Sequence, residues 1–142
     1  ILATPSYNHP LRYMYKPSLD GSSPDFWSSS LGSLDVHYSS GVGNHFFYLL
    51  AEGAVVPTGF GSGTWANLTP AKLVCNGNTA ITGIGRTAAD KIWYRALTVY
   101  MTSSTNYAGA RAATISASTD LYGAASAQTN AVKAAWSAVL VN

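Results

Sequence analysis

Apolar residues recur at helical spacing in four stretches of the chain. In the first, residues 40–52, the side chains of Val42, Phe46, Leu49 and Leu50 fall on one face of a helix. A helix with one apolar face is typical of a globular domain, because that face packs into the core. The pattern therefore predicts a partly buried amphipathic helix in this stretch.

The other three predicted helices lie in the second half of the chain. They cover residues 87–102, residues 107–122, and a last helix that begins after Ser126. Gly123 is expected to end the third helix, whose many alanines permit close contact with its neighbours. Four helices with short connections predict a mainly α fold, a bundle of about four to five helices.

Polar residues at the predicted helix starts indicate how the free N–H groups there are satisfied. We expect Ser39 or Ser40 to cap the first helix and Ser126 to cap the last. Thr87 and Asp90 stand three residues apart and form a weak version of the capping box at the start of the second helix.

Two parts of the chain lack helical periodicity. Residues 1–34 are rich in Pro, Ser, Gly and Tyr, which predicts an ordered irregular segment with one short helical turn. Residues 54–82 contain the turn-rich stretches GFGSGTW and CNGNTA. There AVVP or KLVC could each form a strand, which predicts a loop or a short hairpin.

Composition and charge exclude some classes of function. Charged residues make up 10% of the chain, against about 25% in typical soluble domains, and the net charge is +2. The basic residues are scattered, so we expect no nucleic-acid partner, and no apolar run approaches the ~18 residues of a membrane span. Hydroxyl and amide residues supply the polarity, a composition common in secreted bacterial proteins. The start, ILATPSYNHP, is neither an initiator Met nor a signal peptide, which predicts a processed product or a fragment.

Metal-ligating side chains are few and scattered. Zinc needs three or four ligands, whereas His37 and His45, eight positions apart, would lie ~12 Å apart on one helix. The chain has no HExxH, no Gly-x-Ser-x-Gly and no phosphate loop. We therefore expect no metal bound by this chain. The single cysteine, Cys75, has no base nearby in sequence, so it is expected to be an inert thiol or to bond to a group outside the chain.

Asp35 and His37, in DVHYSSG, pair a carboxylate with an imidazole just before the first predicted helix. The helix start favours a neutral ring or a nearby anion, whereas the charge of Asp35 favours the protonated ring. A hydrogen bond to one ring nitrogen would fix the orientation of the ring and, in the protonated ring that Asp35 favours, leave the other nitrogen as a donor for a developing oxyanion. From these residues alone, a surface turn in which both side chains cap the helix is the simpler interpretation.

Several long blocks of the chain resemble the C-terminal domain of thermolysin-like zinc metallopeptidases, the pseudolysin and actinobacterial neutral protease branches above all. The blocks are LDVHYSSGVGNHFFYLLAEG, GIGRTAADKIWYRALTVYMTSSTNYAGARAATISASTDLYG, NAVKAAWSAVLVN and, upstream, PLRYMYKPS. The resemblance covers nearly the whole chain and is weakest over residues 54–82. It implies that residues 1–142 form one C-terminal lobe, with an irregular substrate-cleft segment at 1–34 and a helical bundle at 35–142.

The resemblance also implies roles for four residues. His37 stands at the catalytic histidine of the family's D-x-H-x-x-S-G motif, which donates to the tetrahedral intermediate, and Asp35 at the acid paired with it. Arg12 stands at the arginine that hydrogen-bonds the substrate carbonyl beyond the scissile bond. Leu11 stands where the family lines the apolar pocket for the residue after the cut. Without the resemblance, an isolated Arg such as Arg12 is usually a surface salt-bridge residue.

The departure from the family is that the zinc-bearing half is absent from this chain. In the family, HExxH and a later Glu hold zinc in an N-terminal lobe, so zinc is expected in the intact enzyme but not on this chain. The resemblance also implies that a calcium-binding turn of the thermolysin branch is lost, because His9 stands where an acid would precede Arg12 by three residues; calcium elsewhere stays open.

Two functions follow from this picture. The first is the C-terminal half of a secreted zinc metalloendopeptidase, inactive alone, with the HExxH lobe and a peptide or protein substrate as partners. The alternative is a processed stand-alone binding module that associates with another protein or with itself, without catalysis.

The remaining polar side chains are expected to be structural. His45 falls within the first predicted helix and has no role in the family. Arg86, Arg95 and Asp90 are expected to cap or brace helices rather than to touch substrate.

Overall fold

The computed structural model describes residues 10–58 and 66–142, and these form a helical domain. Its α-helices are α1 (Val36–Ser39), α2 (Gly41–Glu52), α3 (Pro70–Leu73), α4 (Arg86–Arg95), α5 (Tyr107–Tyr122) and α6 (Ala127–Ala138). A π-helical segment, Ala96–Tyr100, continues α4, and two 3₁₀ helices, Pro17–Asp20 and Ser29–Ser33, precede α1. Over the two described ranges there is no β-strand, and the predicted mainly α fold is confirmed.

Helix α2 lies in the core of the bundle. Val42, Phe46, Leu49 and Leu50 are all fully buried, so the apolar face predicted for this helix is confirmed. The ring of Phe46 stacks on the ring of Trp136 in α6 with centroids 3.7 Å apart. Burial of these side chains removes a large apolar area from water, which is the main force holding α2 against α6.

Trp136 also links α6 to α5. Its indole nitrogen is fully buried and donates a hydrogen bond of 2.8 Å to Oγ1 of Thr114. A buried indole N–H without a partner would be costly, so Thr114 makes this aromatic contact specific for one arrangement of α5 and α6.

The cap predicted for the last helix is confirmed, and the cap predicted for the first is wrong. Ser126 accepts a hydrogen bond from the backbone of Thr129 at the start of α6. Neither Ser39 nor Ser40 caps α2, because α1 leads directly into it and Ser40 already has helical dihedral angles. The free N–H groups therefore belong to α1, where Asp35 accepts one of them.

The second and third predicted helices are both present, and the second differs from the prediction in its start and its last part. The prediction of 107–122 is confirmed at both ends. The stretch predicted as 87–102 becomes α4 followed by the π-helical segment, and the N-cap of α4 is Gly85, which has no side chain to act as a cap. Thr87 and Asp90 lie inside α4, so the capping box predicted there is wrong.

No hairpin forms among the described residues between 54 and 82. The first two residues of KLVC belong to α3, which begins at Pro70, a residue suited to the first helical position. An antiparallel bridge joins Gly53 to Thr82. This approach requires glycine, because a Cβ on Gly83 would lie 2.4 Å from the carbonyl oxygen of Ala51. The stretch GFGSGTW, residues 59–65, lies outside the described residues.

The irregular N-terminal segment packs against the helical bundle, and its irregular character is as predicted, with two 3₁₀ helices rather than one helical turn. The backbone of Trp27 donates to the carbonyl of Val139 just beyond α6, at 2.9 Å. Gly41 permits close approach, since a Cβ there would lie 3.0 Å from the carbonyl oxygen of Pro24. No helix among the described residues has the length and apolar character to cross a membrane.

Candidate functional site

Asp35 begins helix α1 and holds the ring of His37. One carboxylate oxygen, Oδ1, accepts from the backbone N–H of His37 at 2.8 Å and lies 2.6 Å from Nδ1 of the same residue. The backbone hydrogen bond, followed by the ring hydrogen bond, lowers the pKa of Asp35 below its ordinary value. A carboxylate therefore caps the helix and orients the imidazole at once.

The ring of His37 projects into solvent. Its side chain is 78% exposed, and that of Asp35 is 61% exposed. With Nδ1 directed at the carboxylate, Nε2 is the ring nitrogen that remains available to a bound molecule. It donates when the ring is protonated and accepts when the ring is neutral.

Arg12 lies against the turn that carries His37, although 25 positions separate the two residues. Its Nη2 donates to the carbonyl oxygen of His37 at 3.1 Å, and its Nη1 donates to the carbonyl oxygen of Leu11 at 2.8 Å. Nη1 also lies 3.7 Å from Oδ2 of Asp20. The guanidinium carbon lies 5.5 Å from the ring centroid of Tyr38, within the range of a cation–π contact.

The structure thus brings Arg12 against the turn that carries Asp35 and His37. Leu11, next to Arg12 in the sequence, is 52% exposed. The arrangement joins a fixed cation, an imidazole with one free nitrogen and an apolar contact, which are groups able to bind and polarise a peptide. The roles of these four residues stay predictions.

Sequence analysis did not identify Asp20 and Tyr38, the two other neighbours of Arg12. Asp20 stands in the turn LDGSS, where its carboxylate accepts from the backbone of Ser22 at 2.8 Å and of Ser23 at 2.7 Å. Burial would raise the pKa of Asp20, but the hydrogen bonds from Ser23 and Ser22 and the charge of Arg12 outweigh burial and lower it. The Asp-Gly turn indicates these backbone bonds, whereas nothing in the sequence indicates the contact with Arg12.

The described residues do not fit the zinc ion that the family implies. No group of three or more His, Cys, Asp or Glu side chains within residues 10–58 and 66–142 could hold a metal ion. His37 directs one nitrogen at Asp35, and His45 is fully buried. His9 lies outside the described residues.

His45 has a structural position between two backbone carbonyls. Its Nδ1 lies 2.7 Å from the carbonyl oxygen of Asp25 and its Nε2 lies 2.8 Å from that of Leu73. Burial lowers the pKa of His45, outweighing the two carbonyls, which favour the protonated ring. The side chain therefore joins α2 to the N-terminal segment and to α3.

Cys75 lies near the same carbonyl, with its Sγ 3.8 Å from the oxygen of Asp25. Burial raises the pKa of Cys75 to about 11, so the thiol stays protonated at neutral pH. Since the thiolate is the reactive form, this agrees with the expectation of an inert thiol.

Two of the three charged residues expected to brace helices make ion pairs across elements. Arg86 Nε lies 2.6 Å from Oε1 of Glu52, at the end of α2. Arg95 Nη2 lies 2.7 Å from Oδ2 of Asp120 in α5. Asp90, the third, is exposed on α4.

Comparison with known proteins gives the family. Residues 1–141 match the family model described as the thermolysin metallopeptidase, alpha-helical domain. The chain is 48% identical over 132 residues to a transglutaminase-activating metalloprotease of Streptomyces mobaraensis, a match covering 93% of the chain and 16% of the relative.

Two further relatives are similar over the same part. A bacillolysin of Bacillus cereus is 41% identical over 136 residues, which cover 93% of the chain and 20% of that protein. A thermolysin of Alicyclobacillus acidocaldarius subsp. acidocaldarius is 37% identical over 133 residues, which cover 91% of the chain and 20% of that protein. The chain spans a fifth or less of the length of these relatives. It belongs to the thermolysin metallopeptidase family, as that family's alpha-helical domain.

Proposed function

We propose that this domain is the C-terminal lobe of a secreted zinc metalloendopeptidase, in which it supplies His37 and Arg12 to peptide-bond hydrolysis. The observation that supports the proposal is the hydrogen bond from Arg12 to the main-chain carbonyl of His37, which makes the two residues neighbours. In this proposal residues 1–34 line the substrate cleft, and zinc, held by an N-terminal lobe with HExxH, supplies the activation of water.

His37 would stabilise the charge that develops on the peptide carbonyl oxygen. Asp35 fixes the ring through Nδ1, and Nε2–H is a donor when the ring is protonated. A donor placed before the reaction costs no reorganisation when the oxyanion forms. The high exposure of His37 in this domain is what such a role requires, since the ring has to reach the substrate.

Arg12 would bind the backbone of the substrate. A guanidinium has five N–H donors, and the described contacts use one from each Nη atom, so donors remain for a substrate carbonyl. Its charge persists at any physiological pH. The exposed side chain of Leu11 would then contact the residue that follows the scissile bond.

Exposed apolar side chains in the segment before and at the start of α1 support the presence of a partner lobe. Phe26, Trp27, Leu34 and Val36 are 44%, 45%, 39% and 72% exposed. Large exposed apolar groups concentrated in one segment are typical of an interface. Without the lobe that holds zinc, this domain is expected to have no peptidase activity.

The test is His37→Ala in the full-length protein. We expect kcat to fall about 10²- to 10³-fold while bound zinc is unchanged, because the variant removes a donor but no metal ligand. Peptide hydrolysis and zinc content measured on one preparation check this, with Asp90→Ala on the exposed face of α4 as the control. Loss of zinc together with activity would contradict the proposed role.

The alternative, a stand-alone binding module, draws support from a second exposed apolar region. Tyr94, Leu97 and Val99, in α4 and the π-helical segment, are 68%, 49% and 55% exposed. Intact and denaturing mass spectrometry of the natural protein separates the two functions. A polypeptide containing HExxH supports the enzyme, whereas a single species near 14.9 kDa without zinc supports the binding module.

A further inference from the structure

We propose that Asp20 is a positioning residue for Arg12, holding the guanidinium where it can meet the substrate backbone. The inference rests on the proposed function, in which Arg12 binds a substrate carbonyl. Asp20 ends the first 3₁₀ helix and lies 3.7 Å from Nη1 of Arg12, whereas the main-chain carbonyl of His37 accepts from Nη2. Unlike that neutral carbonyl, Asp20 brings a negative charge to the guanidinium.

The carboxylate of Asp20 is itself held firmly. Its side chain is 8% exposed. Oδ1 accepts from the backbone of Ser22 at 2.8 Å and of Ser23 at 2.7 Å, and Oδ2 accepts from Oγ of Ser23 at 2.6 Å. The turn that allows these bonds passes through Gly21, whose φ of +84° is in the left-handed region. A buried carboxylate requires hydrogen bonds and a counter-charge, and Arg12 is the cation placed to supply that charge.

The distance between the two groups suits positioning. At 3.7 Å the Arg12 nitrogen is in ion-pair range of Asp20 but beyond a normal hydrogen bond, so the pair does not consume the donors of the guanidinium. The serine donors already occupy both carboxylate oxygens, which favours this looser pairing. Tyr38 lies beside the guanidinium. The carbonyl oxygens of His37 and Leu11 each accept one hydrogen bond from it. Asp20 adds the charge that holds Arg12 in this position.

The test compares Asp20→Asn, Arg12→Ala and the double variant in the full-length protein. For peptides that extend beyond the scissile bond, we expect Asp20→Asn to lower kcat/KM roughly tenfold, since misplacing a substrate-binding group slows the reaction. We expect zinc content to be unchanged. In the Arg12→Ala background, Asp20→Asn should have no further effect, whereas a role in general stability would give an additive loss.

Two more variants control for an effect of misfolding on the result. Ser23→Ala removes the hydroxyl bond to Asp20 but keeps the Cβ that packs near Gly41, so a smaller loss that also disappears in the Arg12→Ala background is expected. Asp25→Asn changes another carboxylate of this segment. Its effect on kcat/KM should be the same with and without Arg12, because Asp25 pairs with Lys16.

The outcomes separate this inference from the proposed function. If Arg12→Ala leaves kcat/KM unchanged, the assigned role of Arg12 is wrong and the proposed function loses its support. If Arg12→Ala lowers kcat/KM but Asp20→Asn does not, or if the two losses simply multiply, only the positioning role of Asp20 is overturned.

Discussion

At the scale of single residues, one carboxylate oxygen performs two tasks. Oδ1 of Asp35 satisfies a free backbone N–H at the start of α1 and also holds the imidazole of His37. Capping alone would be met by Asn as well as by Asp. Holding the ring by a charge-assisted hydrogen bond requires the negative charge as well. The two tasks can therefore be separated by substitution.

Asp35→Asn should reduce activity without reducing stability. The amide oxygen can still accept the backbone N–H, but the charged acceptor that holds the ring of His37 is gone. We expect kcat/KM to fall roughly tenfold, less than the 10²- to 10³-fold that follows removal of a donor outright. The midpoint of thermal unfolding should stay near that of the wild type, whereas Asp35→Ala should lower both quantities. Full activity in Asp35→Asn, with a lowered unfolding midpoint in Asp35→Ala alone, would show that Asp35 is only a cap.

The same residues show what a sequence can indicate at this scale. Asp35 and His37 are two positions apart at a predicted helix start, so their contact follows from local geometry. Arg12 and His37 are 25 positions apart, and their contact depends on how the irregular segment packs. Only the resemblance to a family linked them in advance. Sequence analysis missed Asp20 because the chain has six acidic residues and no sequence pattern indicates which of them pairs with Arg12.

At the scale of elements, helix α6 depends on its first turn. Ser126 Oγ accepts from the backbone of Thr129 at 3.1 Å, and Thr129 is buried and donates to the carbonyl of Gly123. The cap therefore fixes the start of the helix that carries Trp136 into the core.

Ser126→Ala should destabilise the protein by about 1 kcal/mol, the usual cost of losing such a cap. Urea unfolding of the full-length protein, monitored by tryptophan fluorescence, measures the change. Ser126→Asp is the matched variant, because its carboxylate can cap and its charge is favourable at a helix N-terminus. Equal destabilisation by Ala and Asp would mean that the hydroxyl acts in some way other than capping.

Element predictions succeeded where the signals are local. Asn106 caps α5 and Gly123 follows it, with a φ of +93° at the glycine, so both ends could be predicted from neighbouring residues. The start of α4 is different. The backbone of Gly85 donates to the carbonyl of Ala51, so contact with the end of α2, rather than the side chain of Thr87, sets where α4 begins. Periodicity along the sequence carries no information about such a contact.

At the scale of the whole molecule, Asp25 connects segments that are distant in sequence. Its carboxylate accepts from Nζ of Lys16 at 2.5 Å and from the backbone of Ser18 at 2.9 Å. Its carbonyl oxygen lies within contact of His45 in α2 and of Cys75 after α3. The N-terminal segment that carries Arg12 is therefore joined to the bundle through one buried acid.

This acid makes stability depend on pH. Burial would raise the pKa of Asp25, but the hydrogen bonds from Lys16 and Ser18 outweigh it and lower the pKa below its ordinary value. On acidification the unfolded state therefore takes up a proton first. The stability contributed by the carboxylate is fully present above the unfolded pKa of about 3.9 and is lost as the pH falls through the folded pKa.

Asp25→Asn should consequently destabilise the protein at pH 7 and matter less in acid. At neutral pH the variant loses the ion pair, whereas near pH 3, below the unfolded pKa of about 3.9, the unfolded wild type already carries the proton, so the difference between the proteins should shrink. The midpoint of thermal unfolding of the full-length protein, measured from pH 7 to pH 3, checks this, with Asp90→Asn on the exposed face of α4 as the control. Midpoints of wild type and Asp25→Asn that fall in parallel would show that the ionised carboxylate contributes nothing to joining the segment to the bundle.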